Sequence, residues 1–167
     1  TGNYSGVGVD INGVQAGDFD GTDDLLQATF TSESQPNTIF AAFELVTNSG
    51  NNHGIIDGGT KLEQSLIQDV QDSGYELYAG SRIRGSKSRS VGDVEVVAGL
   101  FDGANSVLRF DGSQDATGDV GSDSLTGITL GGHADDSNYS NVKIGEVLVY
   151  PQDKSAIFSD VENYLID

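Results

Sequence analysis

The chain has no cysteine, no methionine and no tryptophan, and only 2 prolines. Without cysteine there is neither a disulfide nor a thiolate metal site. Without tryptophan, a flat aromatic platform for crystalline cellulose or chitin is not expected. Positive charge is scarce as well: 8 Lys and Arg face 26 Asp and Glu, for a net charge of −18. Such a field repels nucleic-acid phosphates and anionic membranes, which excludes both as partners. No stretch approaches the roughly 20 apolar residues of a membrane helix, so membrane insertion is not expected. The chain opens at Thr1 with no recognisable targeting segment, and the expectation is a processed or excised piece of something longer.

What is present points to many short strands. The 167 residues suit one domain, residues 1–167, long enough to bury a core. The 23 glycines supply the positive φ angles that tight turns between strands require. Aspartate provides 19 of the 26 carboxylates, an acidic, lysine-poor surface expected of a protein adapted to salt. In molar salt the Debye length falls to roughly 3 Å and self-repulsion is screened.

Apolar runs recur at strand length, bounded by turn residues. Residues 24–30 predict a strand after a turn at 18–21. Residues 37–47 predict a longer one, with Ile39, Ala41, Phe43 and Leu45 on one face and Phe40, Ala42, Glu44 and Val46 on the other. Residues 48–52 then break the chain. Further strands are expected at 53–57, 63–70, 75–82, 128–131 and 143–150, and residues 93–110 predict a hairpin around Asp102-Gly103-Ala104-Asn105. The first twelve residues form either an edge strand or a connection. Only the C-terminus has a helical signature, a capping box of Ser159 and Glu162. Strands at regular spacing without α/β alternation predict an all-β fold.

The order of these motifs resembles the laminin-G-like and concanavalin A-like superfamily. Residues 19–28 (FDGTDDLLQA) resemble its first core strand, residues 96–118 its central hairpin, and residues 128–165 its closing strand, polar loop and short helix. The chain departs from the pattern before the buried Val-Ala of the hairpin, where Asp93-Val94-Glu95 stands instead of aromatic residues. The resemblance implies a two-sheet antiparallel jelly-roll sandwich with a short C-terminal helix. It also implies binding of carbohydrate or protein, in some members with calcium at the rim.

Catalysis is not expected. No strand carries the closely spaced carboxylates of a jelly-roll glycanase; the nearest pair, Asp93 and Glu95, reads as a solvated strand start. His53 and His133 read as surface histidines, and no nucleophile elbow is present. Calcium needs six to eight oxygens in flexible loops. Asp135 and Asp136 are the expected ligands, with Asp18, Asp20, Asp23 and Asp24 a second acidic cluster and residues 48–52 a third oxygen-rich loop.

Arg82, Arg84, Lys87 and Arg89 fall within eight residues, half of all the basic residues in the chain. They read as an exposed hairpin loop. Either they grip an anionic partner, such as a sulfated or uronic glycan or the acidic face of a neighbour, or they pair with carboxylates of their own domain. Tyr139 and Asn138 share a loop with the aspartate pair and are the expected sugar contacts. The sequence thus predicts a non-catalytic carbohydrate-binding or adhesion module on a cell or virus surface, with a glycan or surface protein as partner. The alternative is a structural piece of a capsid, spike, tail or cell-surface assembly that self-associates.

Overall fold

A computed structural model describes residues 6–11, 13–48, 52–68 and 74–166. Thirteen strands lie in two antiparallel sheets. They are β1 (Gly6–Ile11), β2 (Val14–Asp20), β3 (Leu26–Glu33), β4 (Asn37–Leu45), β5 (Gly54–Gly58), β6 (Ser65–Gln68) and β7 (Tyr75–Tyr78). The series continues with β8 (Arg82–Arg84), β9 (Val94–Phe101), β10 (Ser106–Phe110), β11 (Ser113–Gly118), β12 (Leu125–Leu130) and β13 (Asn141–Tyr150), and ends in helix α1 (Phe158–Ile166). The seven-stranded sheet runs β1-β2-β13-β4-β9-β10-β11, and the six-stranded sheet runs β3-β12-β5-β6-β7-β8. This is a jelly-roll sandwich.

The core explains why β4 is the most apolar strand. Its alternation sends Ile39, Ala41, Phe43 and Leu45 between the sheets, where they meet Ile56, Leu66, Leu77 and Leu108. Phe40 and Ala42 point the other way, into a second cluster with Ile11, Val96, Ala98, Phe158 and Leu165. Helix α1 covers that outer face, so β4 is buried on both sides and reads as a continuous hydrophobic run. Between the sheets Tyr75 stacks on Phe110 with ring centroids 4.6 Å apart, and Phe43 packs edge-on against both.

Several boundaries differ from the sequence reading for local reasons. The run 75–82 divides at Ala79, whose N–H is taken by the carbonyls of Val120 and Ser81, so β7 turns into β8 there. Asp18 and Asp20 lie on β2 rather than in a turn, because their strand pairs with Lys143 and Asn141 of β13. β11 follows the Asp111-Gly112 turn and adds a third strand to the predicted hairpin. Residues 6–11 are an edge strand paired with β2. Thr1 to Ser5 and Asn12, residues 49–51 of the expected turn and residues 69–70 of the strand expected at 63–70 lie outside the described residues.

The capping box does not form. The helix begins at Phe158, one residue before Ser159, after a 3-10 turn at Ser155–Ile157. Asp153 Oδ1 accepts the Ser155 N–H at 2.7 Å. Glu162 turns instead toward β10, where Arg109 Nε and Nη2 donate to its two oxygens at 2.9 Å each. The Arg109 guanidinium also lies 5.2 Å over the Phe158 ring. A bidentate charged pair is stronger than a backbone cap, and Glu162 is buried. Arg109→Met leaves that carboxylate buried and unpaired and is expected to cost about 3 kcal/mol in urea unfolding. Arg109→Met with Glu162→Leu recovers most of the loss. A single-variant cost below about 1 kcal/mol contradicts a holding role for this pair.

Candidate functional site

The basic segment is divided among internal partners. Arg82 and Arg84 lie on strand β8, not in a loop, and both point to Glu76 on β7. Arg82 Nη1 is 3.1 Å from Glu76 Oε1 and Arg84 Nε is 3.3 Å from Oε2. The Glu76 side chain is fully buried, while 39% and 37% of the two arginine side chains remain exposed. Arg82 also covers the Tyr78 ring at 5.5 Å. Lys87 Nζ bridges Glu95 Oε1 and Asp111 Oδ2, each at 3.1 Å. Arg89 Nη1 donates to Gln68 Oε1 at 3.1 Å, and Gln68 Nε2 donates to Ser140 Oγ at 2.9 Å. Asp115 fixes the loop between them, accepting from the Ser86 N–H and Oγ–H and the Lys87 N–H. Arg82, Arg84 and Lys87 therefore serve carboxylates of their own domain.

A second group of expected residues gathers at one end of the sandwich. Gly131, at φ +85°, turns the chain out of β12; a side chain there would place its Cβ 2.3 Å from the Phe19 ring. The β12–β13 loop is then tied down by Asp57, a buried carboxylate on β5. Asp57 accepts from the N–H groups of Gly58, Leu62 and Ala134, from Ser65 Oγ–H at 2.5 Å, and lies 3.1 Å from His133 Nδ1. His133 is buried, not a surface histidine, and its Nε2 lies 2.9 Å from the Asn52 carbonyl. His53 Nδ1 contacts the Tyr139 carbonyl.

On this rim Asp135, Asp136, Asn138 and Tyr139 come together, but the two aspartates face different partners. Asp135 Oδ2 binds Lys61 Nζ at 2.8 Å, and its other oxygen accepts from Ser137. These two hydrogen bonds hold its carboxyl below the usual range. Asp136 Oδ1 accepts the Tyr139 hydroxyl at 2.6 Å. That bond comes first among the causes that push the Tyr139 phenol up to about 12, and the charges of Asp23 and Asp135 add to it. The β2–β3 turn borders the same rim, since a Cβ at its Gly21 would lie 3.0 Å from Asn141 at the end of the β12–β13 loop.

Asp20, Asp23 and Asp24 on that turn bring carboxylate oxygens within 4.8 Å of one another, with Asp24 buried. Asp24 Oδ2 accepts the Asp20 N–H at 3.2 Å, and Asp20 Oδ1 accepts the Thr22 N–H at 2.7 Å. Several hard oxygens on one turn fit a calcium ion. The Asp135 carboxylate, already holding an ammonium, fits it less well.

No family model and no curated protein sequence matches the chain. Among solved structures it is similar to Trypanosoma rangeli sialidase in complex with sialic acid, at TM-score 0.72 and 12% identity over 99% of this chain. The chain spans only 29% of that sialidase's length. It is also similar to a heptameric SAP-like pentraxin from Limulus polyphemus, at TM-score 0.61 and 12% identity over 89% of this chain and 78% of that one. A third similar structure is domain 4 of AbnA, a GH43 extracellular arabinanase from Geobacillus stearothermophilus, in complex with arabinotriose. There the TM-score is 0.65 and the identity 15%, over 100% of this chain and 82% of that one. At such identities the likeness shows the fold, a β-sandwich jelly roll.

Glu95 is the residue whose setting departs most from the sequence reading. It is not a solvated strand start but a buried carboxylate facing Phe43's side of β9, where it accepts from the Tyr75 hydroxyl and pairs with Lys87. Burial, the largest cause, raises its pKa above the ordinary 4.5, against the opposing hydrogen bonds of Tyr75 and Lys87. The folded state then holds this proton more tightly than the unfolded chain does. Its contribution to stability is present below pH 4.5 and is lost as pH rises through the higher folded value. Glu95→Gln removes that component, so the variant gains on the parent as pH rises above 4.5 in urea unfolding. A parent-to-variant difference that stays flat from acid to neutral pH contradicts the assignment.

Proposed function

We propose that this domain is a non-catalytic carbohydrate-binding module of the laminin-G-like kind, displayed on a cell or virus surface and adapted to salt, and that its ligand is a neutral glycan. The observation that carries the reading is the match of the whole chain to most of a domain solved with arabinotriose. The electrostatics support the neutral ligand. Arg82, Arg84 and Lys87 are committed to Glu76, Glu95 and Asp111, and the rest of the molecule is strongly negative, so a sulfated or uronic glycan would meet repulsion.

The binding surface in this reading is the rim. Tyr139, held upright by Asp136, offers its ring to the C–H face of a sugar. Asn138 and the nearby aspartates accept hydrogen bonds from sugar hydroxyls. Calcium, where present, sits on Asp20, Asp23 and Asp24 rather than on Asp135 and Asp136. No step of bond making or breaking is assigned to any of these groups.

The test is a broad glycan array read in molar KCl, once with calcium and once with chelator. Binding to neutral glycans is expected, weakened about tenfold by Tyr139→Ala. The calcium-dependent part is lost in Asp20→Asn/Asp23→Asn and kept in Asp135→Asn/Asp136→Asn. Absence of binding in both conditions overturns the proposal.

A further inference from the structure

At the end of the sandwich away from the rim, the second half of β3, the end of β13 with the following Pro151, and the first residues of β4 and β12 line a groove of about 240 Å³. Phe30, Leu125, Val149 and Pro151 form its walls, with Glu33 and Asn37 completing the lining. Phe30 is 40% exposed, unusual for a phenylalanine on so polar a surface. Asn37 is fully buried; its Nδ2 donates to the Glu33 carbonyl at 3.5 Å, and its Oδ1 has no hydrogen-bond donor. A buried amide oxygen without a donor disfavours the fold unless something supplies one.

We infer that this groove is a second sugar-ring site, taking one furanose or pyranose unit of a neutral glycan. The ring lays its C–H face on Phe30 and Val149, and its hydroxyls reach the Glu33 carboxylate and the Asn37 carboxamide. The chemistry selects this ligand over others. A wholly apolar molecule leaves Asn37 unsatisfied. An anion meets Glu33, the one charged residue of the lining. A hydroxyl both donates and accepts, so it satisfies the carboxamide in either orientation. The volume is below that of drug-sized pockets and suits a single ring.

The walls are fixed before any ligand arrives. Thr38 Oγ1 donates to the Gln152 carbonyl at 2.8 Å and accepts the Lys154 N–H at 3.0 Å, which pins the segment carrying Pro151. Gln35 ties the β3–β4 connection to the carbonyls of Gly121 and Asp123 and to the N–H of Gly103. A preformed groove on strand ends binds with little ordering cost.

This inference rests on the carbohydrate-binding reading, and its test separates the two. The ¹⁵N-labelled domain is titrated with a panel of neutral oligosaccharides that includes arabinotriose, and the parent is compared with Phe30→Ala, Glu33→Ala and Tyr139→Ala. The expected result is a shift of the Asn37 side-chain amide signals on titration, kept in Tyr139→Ala. The affinity read from that shift falls about tenfold in Phe30→Ala and is also weakened in Glu33→Ala. Because Phe30 and Glu33 are not core residues, the variants remain folded, which the dispersion of their spectra verifies. Binding that moves only rim signals overturns the second site and leaves the carbohydrate reading standing. Binding of no sugar by the parent overturns both. Self-association of the parent that Phe30→Ala abolishes, without sugar binding, overturns the site in favour of an interface between copies.

Discussion

Scarce cations held on buried glutamates are the constraint that the rest of this structure depends on. None of the seven glutamates is exposed, and three of them, Glu76, Glu95 and Glu162, are buried outright. Each of those three meets a lysine or arginine: Arg82 and Arg84, Lys87, and Arg109. A buried carboxylate is tolerated only when paired and hydrogen-bonded. With 8 basic residues in the chain, these sites take half of them. Lys143 on Glu44 and Lys61 on Asp135 take two more. Aspartate is used differently, at the surface and in turns, with Asp24 and Asp57 the buried exceptions among the described residues.

This division shapes what the surface offers. The pairs reinforce contacts that the core and the sheet ladders already make: Glu162 adds a charged link from the helix to β10, and Glu76 adds one between the paired strands β7 and β8. Glu95 brings the loop at Lys87 onto β9. The rim is built of aspartate, asparagine and tyrosine with Lys61 held on Asp135, and the far groove of apolar side chains with Glu33 and the Asn37 amide. Asp57 does for the rim what the glutamates do for the sheets, since one carboxylate gathers five donors from three segments.

The two-sheet architecture was legible in the sequence because alternation and turn chemistry act locally. The two faces of β4 were readable residue by residue, as was the β9–β10 hairpin around Asp102-Gly103. β2 and β11 were not, since their polar, glycine-containing strands carry no apolar alternation and depend on partners far along the chain. The same limit applied to charge. Spacing brought Arg82 to Arg89 together as a patch, but whether an arginine faces solvent or a buried glutamate is decided by strands paired across the sheet. Ser159 and Glu162 satisfied a capping pattern that a distant arginine overrode. Glu95 and His133 read as surface groups because nothing in their immediate neighbours marks them as buried. The groove at Phe30 had no sequence signature, since its lining comes from four strands. The one available signal there was an apolar aromatic in an otherwise polar strand, TFTSE.

Arg82 and Arg84 hold the buried Glu76 in place, and unfolding of Arg82→Gln/Arg84→Gln in urea tests that role most directly. Removal of both guanidinium groups takes two charged partners from the buried Glu76, and a loss of about 3 kcal/mol is expected, with glycan binding retained by the folded variant. Unchanged stability together with lost glycan binding would contradict it, and would return these arginines to the binding surface.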